Sequence, residues 1–352
     1  MTAGALARSV VSGGAVARPL ASAVVGIAVA LGTAALLVLF SGRNPLVAYL
    51  ALLGGAVGTP DRIAVALNKA TPYLLTGAGV ALCFRARIVN IGAEGQIALG
   101  GLAATWLALR LPHAPAFVLP LLCALAGAAA GAAWGGLAAL VRLKRRVHEV
   151  LVTLLLNFVG VLIVGEVLQG ELGEPGAGFP QSPLLPSAAW LPKLVPGTDL
   201  HVGVLVAVAA VLVCQVVLWR TPFGFRLRVL GASEGAARYA GISFAHTTLL
   251  VMMLAGGLAG VAGAIEVLGV HYRLIEGFSH GFGFAAVSIA LIGALSPLGV
   301  LPAALFFGFL ESGALAMQRA VGVPTPLVSV IQGLTMIFVL AAMALSAARG
   351  RV

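Results

Sequence analysis

Long apolar runs separated by short polar breaks set the rhythm of this chain. The runs extend from Leu20 to Gly42, from about Ile63 to Cys83 with Pro72 inside, and from the polar segment NIGAEGQ to about Leu109. They continue from Ala116 to Leu140, Val150 to Leu168, Val202 to Trp219 and about Leu249 to Val270. The last three run from about Phe284 to Leu295, Val300 to Met317 and Leu327 to Ser346. Most approach the about twenty residues that a helix needs to cross a bilayer. The pattern predicts an all-α, polytopic membrane protein of about ten transmembrane helices. The first run exceeds the apolar core of a signal peptide and reads as an uncleaved anchor. Two stretches fit less well. Pro45 to Gly58 is apolar but short, which suits an interfacial or re-entrant piece, and the eighth run is short unless Gly281 to Phe284 belong to it.

Charge gives the orientation. Basic residues cluster at Arg85 and Arg87, at Arg142, Lys144, Arg145 and Arg146, at Arg220, Arg226, Arg228 and Arg238, and at Arg349 and Arg351. Both termini are then cytoplasmic, and about fourteen of the 21 Lys and Arg fall inside, as basic retention on the cytoplasmic side predicts. Within residues 1–352 as a single transmembrane domain, this leaves 1–19 as a cytoplasmic leader and 171–201, acidic and proline-rich, as an external loop. The composition agrees: 61% hydrophobic and 9% charged residues, against about 25% charged in soluble domains. The net charge of +10 is therefore a membrane signature. Few aromatics and no basic–aromatic stretch exclude a nucleic-acid partner. Cys83, Cys123 and Cys214 lie singly in apolar runs and suggest neither a disulfide nor a metal site.

Small residues recur every four positions at Gly127, Gly131 and Gly135, and again at Gly256 and Gly260. That spacing lets helix backbones approach closely in lipid. Polar groups inside the runs are rarer and costly. Asn90, Glu94 and Gln96 crowd together beside Gly92 and Gly95, where irregular backbone is tolerated if it faces protein or a cavity. Asn157, midway along the fifth run, needs a partner. Glu149 sits beside the basic loop as a counter-charge; Glu266 and Glu311 suit either a structural role or a cavity wall.

The loop from Arg220 to Thr247 contains a short helix with its own punctuation. Ser233 suits the N-cap, Glu234 and Arg238 match the dipole at the two ends, and Gly241 suits the stop after it. Ala236, Ala237 and Ala240 give it a small face, suited to a groove on another protein. GASEG matches a nucleophile-elbow pattern literally, but that motif requires a strand before it and a helix after it in an α/β sheet. No Walker A sequence is present in these 352 residues, so ATP hydrolysis would belong to another chain.

NIGAEGQ (90–96), HEVLVTLLLNFV (148–159), TPFGFRLRVLGASEGAARYAGI (221–242) and the segment 281–314 occur in one order. In this the chain resembles the permease subunits of bacterial ABC importers for nucleosides and simple sugars, most closely the nucleoside branch that works with a BMP-type lipoprotein. The resemblance runs from Pro72 to the C-terminus; Gly235, where the family often has alanine, and the first 60 residues depart from it. It implies a coupling helix at Ser233, Glu234, Ala236, Ala237, Arg238, Ala240 and Gly241, within a cytoplasmic coupling loop at 220–247. It implies a substrate pathway for which Asn90, Glu94, Gln96 and Asn157 are the candidate lining residues. The implied partners are an ABC ATPase that binds the ATP and magnesium, a second permease, and an extracytoplasmic binding lipoprotein. The chain itself would need no cofactor and would reside in the bacterial cytoplasmic membrane. Two other classes stay open: a proton-coupled secondary transporter using Glu94, Glu266 or Glu311, and a membrane-embedded hydrolase built on Ser233.

Overall fold

The computed structural model describes residues 14–145, 147–323 and 325–349. The first thirteen residues of the leader, Arg146 and Arg351 lie outside them. The described chain is all-α. Its helices are α1 (Gly14–Phe40), α2 (Pro45–Val57), α3 (Pro60–Arg85), α4 (Ala93–Arg110), α5 (Leu119–Arg145), α6 (Glu149–Gln169) and α7 (Gly203–Arg220). They continue as α8 (Pro222–Ala232), α9 (Glu234–Tyr239), α10 (Phe244–Glu266), α11 (Phe282–Ile292), α12 (Pro297–Val321) and α13 (Thr325–Arg349). A π-turn, Val267–His271, extends α10. Five described helices are long and apolar enough to cross a bilayer, or six if α2 and α3 are counted together. The membrane-spanning, all-α class is therefore shown by the helices themselves.

The contacts divide the chain into two compact units, 60–309 and 1–59 with 310–352. In the second unit α1 packs against α13, and Gly26 lies so close to Val339 that a Cβ would reach 2.7 Å from its Cα. α2 begins at Pro45, with Asn44 as N-cap accepting from Leu46 N at 2.9 Å. Its 13 residues make about 20 Å of helix, short of the ~30 Å hydrocarbon core.

In the larger unit α10 is the central post. It packs on α3, α4 and α5, while α7 and α11 pack on α3 and α6 on α4. The glycine ladders anticipated in the fifth and tenth helices face each other. A Cβ on Gly131 would fall on the Gly256 carbonyl oxygen and 2.8 Å from Gly260 Cα, and one on Gly127 would sit 2.9 Å from Gly260 O. No side chain larger than hydrogen fits between these backbones, so dispersion across the seam substitutes for the hydrophobic drive that lipid does not supply. α11 corrects the expected eighth span. It starts at Phe282 and its 11 residues give about 16 Å, roughly half a crossing. The segment before it, 272–281, is not helical. It runs beside the 171–201 loop, with Leu185 N donating to Tyr272 O at 2.9 Å and Ser182 N to Leu274 O at 2.8 Å.

Candidate functional site

Two assemblies of the larger unit carry polar chemistry. The first forms where the chain enters α4. After Arg85 the helix stops, Arg87 takes a left-handed conformation (φ 57°), and residues 88–91 have no helical assignment before α4 starts at Ala93. Ile88 N still reaches Cys83 O at 3.0 Å, but Val89 and Ile91 lie beyond the helix, and α6 supplies their acceptors from one face. Glu149 Oε1 accepts from Val89 N at 3.4 Å, Thr153 Oγ1 from Ile91 N at 3.3 Å, and Asn157 Oδ1 from Gly95 N at 2.9 Å. Asn157 Nδ2 donates back to Ile91 O at 2.7 Å. The spacing 149, 153, 157 is one helical face, since residues four apart stack along it. Asn157 lies eight residues beyond Glu149, or about 12 Å along α6. The segment 88–91 therefore runs up α6, and α4 begins well inside the helical layer. Irregular backbone at such a depth is tolerated where protein covers it. Asn90 Oδ1 accepts from Gly92 N at 2.9 Å, and the Asn90 and Gln96 amides meet at 3.5 Å.

Glu94 faces the other way, to α11. Its Oε1 accepts from Ser279 Oγ at 2.6 Å and Gly281 N at 2.9 Å, and Oε2 accepts from Gly283 N at 2.7 Å. The carboxylate thus occupies the N-terminus of α11, where orphan N–H groups and the helix dipole favour negative charge. Gly281 adopts φ 83°, which suits glycine, and a Cβ on Gly283 would collide with Glu94 N. The clamp fixes Phe282 between them. The Phe282 ring meets Tyr73 edge-on at 5.1 Å, and Lys69 Nζ lies 5.4 Å from its centroid. All four residues anticipated on the pathway come together here: Asn90, Gln96 and Asn157 are fully enclosed and Glu94 is 5% exposed. The sequence flagged Glu149 only as a counter-charge. It does pair with Arg142, Nε to Oε2 at 3.4 Å, but it also holds Val89. Thr153, Ser279, Gly281 and Gly283 were not singled out; the glycine-rich run 277–283 was the available signal.

The second assembly is α9. Ser233 Oγ accepts from Ala236 N at 3.2 Å, Glu234 and Arg238 pair at 3.4 Å, and Gly241 closes the end at φ 72° with its N donating to Arg238 O at 3.1 Å. The helix is punctuated as anticipated. Its small face is divided: Ala236 and Ala240 are exposed, whereas Ala237 is 1% exposed, turned into the protein where α9 packs on α8 and α10. The largest outward group is Tyr239, 97% exposed, a side chain that the sequence reading passed over. Of the nearby arginines, Arg228 is committed internally, donating to Leu218 O and lying 4.9 Å from the Trp219 ring, whereas Arg226 and Arg238 point outward. Among the described residues no cluster of three or more His, Cys, Asp or Glu could hold a metal ion.

Residues 62–340 match the family described as branched-chain amino acid transport system / permease component. The chain is 38% identical to the glucose ABC transporter permease protein of Haloferax volcanii over 89% of its own length and 84% of that protein's. It is 32% identical to the guanosine ABC transporter permease protein of Bacillus subtilis, over 92% and 94% of the two chains. It is 28% identical to a nucleoside ABC transporter permease protein of Lactococcus lactis subsp. cremoris, over 87% and 86%. No solved structure matches the chain.

Proposed function

The chain belongs to the branched-chain amino acid transport system / permease component family, and we propose that it carries sugar-bearing solutes, nucleosides or simple sugars, into the cytoplasm. As an ABC permease component it is a multi-pass membrane protein that acts with a separate ATPase and a substrate-binding protein. The three relatives described above are named for glucose, guanosine and nucleosides, which supports this substrate class. In our reading residues 1–352 form one transmembrane domain, with ten crossings supplied by α1, α3–α7 and α10–α13, α11 counting together with the segment before it. Both termini and the 220–247 loop face the cytoplasm of a bacterial cell, and 171–201 faces a binding lipoprotein. A second permease, copy or paralogue, completes the pathway. Asn90, Glu94, Gln96 and Asn157 act on that pathway as positioning residues: they hold the entry to α4 and the start of α11, and so the Phe282 ring between them.

The observation that carries the coupling assignment is α9, a six-residue helix capped at both ends that presents Tyr239, Ala236, Ala240 and Arg238 outward. Exposed tyrosine and arginine are the residue types that dominate protein contacts. Ser233, Glu234, Ala237 and Gly241 then shape the helix, and the outward group meets the ATPase. Co-purification of the permease with its ATPase tests this. Tyr239→Ala and Ala236→Leu are expected to weaken association and to uncouple ATP hydrolysis from substrate without changing the melting temperature of the permease. Full association and coupling in both variants would remove α9 from the interface. A proton-coupled carrier, which the family assignment argues against, would accumulate substrate in liposomes under a pH gradient without any ATPase.

A further inference from the structure

A cavity of about 140 Å3 lies where α3, the outer end of α10 and the external segment meet. Asn68, Lys69, Asp199, Glu266, Gly269 and Tyr272 line it. That volume is about ten times the ~10–15 Å3 that admits one water, so the cavity accepts a group of several heavy atoms, a ring and not a whole nucleoside. Its polar wall mixes strong acceptors and donors. Glu266 is 1% exposed, with His271 Nε2 at 3.7 Å, and Lys69 lies over the Phe282 ring. Asn68 Nδ2 donates to Asp199 O at 2.7 Å, which joins α3 to the external segment at the cavity rim.

Three departures from regular helix converge on these residues. Pro72 has no N–H, so the Asn68 carbonyl lacks its helical donor. The π-turn Val267–His271 widens α10 directly after Glu266; such turns occur frequently at functional sites. Tyr272 follows in the left-handed region at φ 57°, which is costly for a non-glycine residue. Its ring is braced by Trp190, 4.5 Å away. A wall built this way, with buried charge and strained backbone, is more than a packing defect.

We propose that this cavity is an outer binding site for the sugar ring of the transported solute, with its vicinal hydroxyls donating to the Glu266 carboxylate and accepting from Lys69 and the Asn68 amide, while the Asp199 carboxylate at the rim is held by Lys193 at 2.7 Å. Hydroxyls both donate and accept, and hydrogen bonds to charged partners are the stronger ones. The buried Glu266 carboxylate disfavours a phosphate, and Lys69 disfavours a cation. The ribose of a nucleoside and a free hexose present the same hydroxyl pattern. The assignment rests on the import reading above and adds where the solute is held.

The test uses the full complex of permease, ATPase and binding protein in proteoliposomes. Val65 lines the same cavity, and Cys83, Cys123 and Cys214 are buried, so Val65→Cys gives one accessible thiol for methyl methanethiosulfonate. Guanosine or D-glucose, with the binding protein loaded, is expected to slow modification at least fivefold. Protection by guanosine identifies a ribose, and protection by glucose a free sugar. L-Leucine and 2′,3′-dideoxyguanosine are expected to give none. In parallel, Lys69→Gln and Glu266→Gln are expected to lower uptake at least tenfold while the ATPase still co-purifies. Uptake of either sugar compound without any protection overturns the site alone, as does equal protection by leucine or the dideoxynucleoside, or unchanged uptake in both variants. A wild-type complex that takes up neither compound overturns the proposed substrate class, and the site with it.

Discussion

The α5–α10 seam and the broken entry to α4 solve one problem in opposite ways. Both bring backbone close to backbone inside a lipid-facing protein. Along the seam every backbone donor stays in its own helix, so the only requirement at Gly127, Gly131, Gly256 and Gly260 is the absence of a side chain. At the entry, the helix has stopped, and Val89, Ile91 and Gly95 depend on the oxygens of Glu149, Thr153 and Asn157. The seam is intolerant of size and indifferent to chemistry. The entry is intolerant of chemistry, because an orphaned buried polar group costs about 1–3 kcal/mol. The rigid post and the irregular entry to α4 are thus held by different physics, and single substitutions separate them.

The largest effect is expected at Gly131→Leu. The three atoms nearest an added Cβ there are all backbone, and overpacking costs about 1–3 kcal/mol, occasionally more. The yield of folded protein after detergent extraction is expected to collapse, whereas Gly54→Ala, with nothing within 4 Å of the added Cβ, is expected to extract like wild type. A folded Gly131→Leu protein would break the size half of the comparison. Next is Glu94→Gln, nearly isosteric, which presents an amide to the donors of Ser279, Gly281 and Gly283. It is expected to lower the melting temperature by the equivalent of about 1–3 kcal/mol and to impair uptake, with the ATPase still bound. Wild-type uptake and stability would show that charge at the start of α11 is dispensable. Asn157→Asp sharpens the chemistry half further: it keeps an acceptor for Gly95 N but loses the donor to Ile91 O, so Asn157→Leu is expected to be the more destabilising of the two in a thermal melt.

A smaller, pH-dependent effect is expected at the start of α7. His201 precedes α7 at the end of the 171–201 loop, packed between Gly203 and Gly269, and neither ring nitrogen has a hydrogen bond. Burial pushes its pKa down to about 4. The folded protein therefore favours the neutral ring: this contribution is complete above the unfolded value of ~6.5 and is lost as pH falls from there toward 4. At pH 5 the loss is on the order of 2 kcal/mol. Melting temperatures at pH 7 and pH 5 are expected to differ less in His201→Phe than in wild type, and an equal difference would assign the acid sensitivity elsewhere.

The two regions were also unequally legible in the sequence. Glycines four apart announce a seam because the signal is local and periodic, and the caps of α9 are legible for the same reason. Asn157 announced only that it needed a partner; its partners are the backbone of Gly95 and Ile91, 62 and 66 residues earlier, and single backbone groups have no sequence signature. Ala237 and Ala240 look alike in the sequence, but only tertiary packing of a six-residue helix decides which turns inward. The length of α11 was undecidable because the apolar run continues past Ile292, where Ala294 and Leu295 take left-handed conformations that no composition encodes.

The ladder on α6 also orders the events of biosynthesis. The backbone of 88–95 leaves the ribosome before the side chains that satisfy it, by 60 to 66 residues. At about 5–20 residues per second that gap lasts roughly 3–13 s. During this interval unsatisfied backbone at the start of α4 is costly in lipid, so α4 is expected to wait beside the insertion machinery until α6 arrives. A nascent chain stalled after residue 145 is accordingly expected to crosslink through α4 to the translocon, and one stalled beyond residue 200 to have left it.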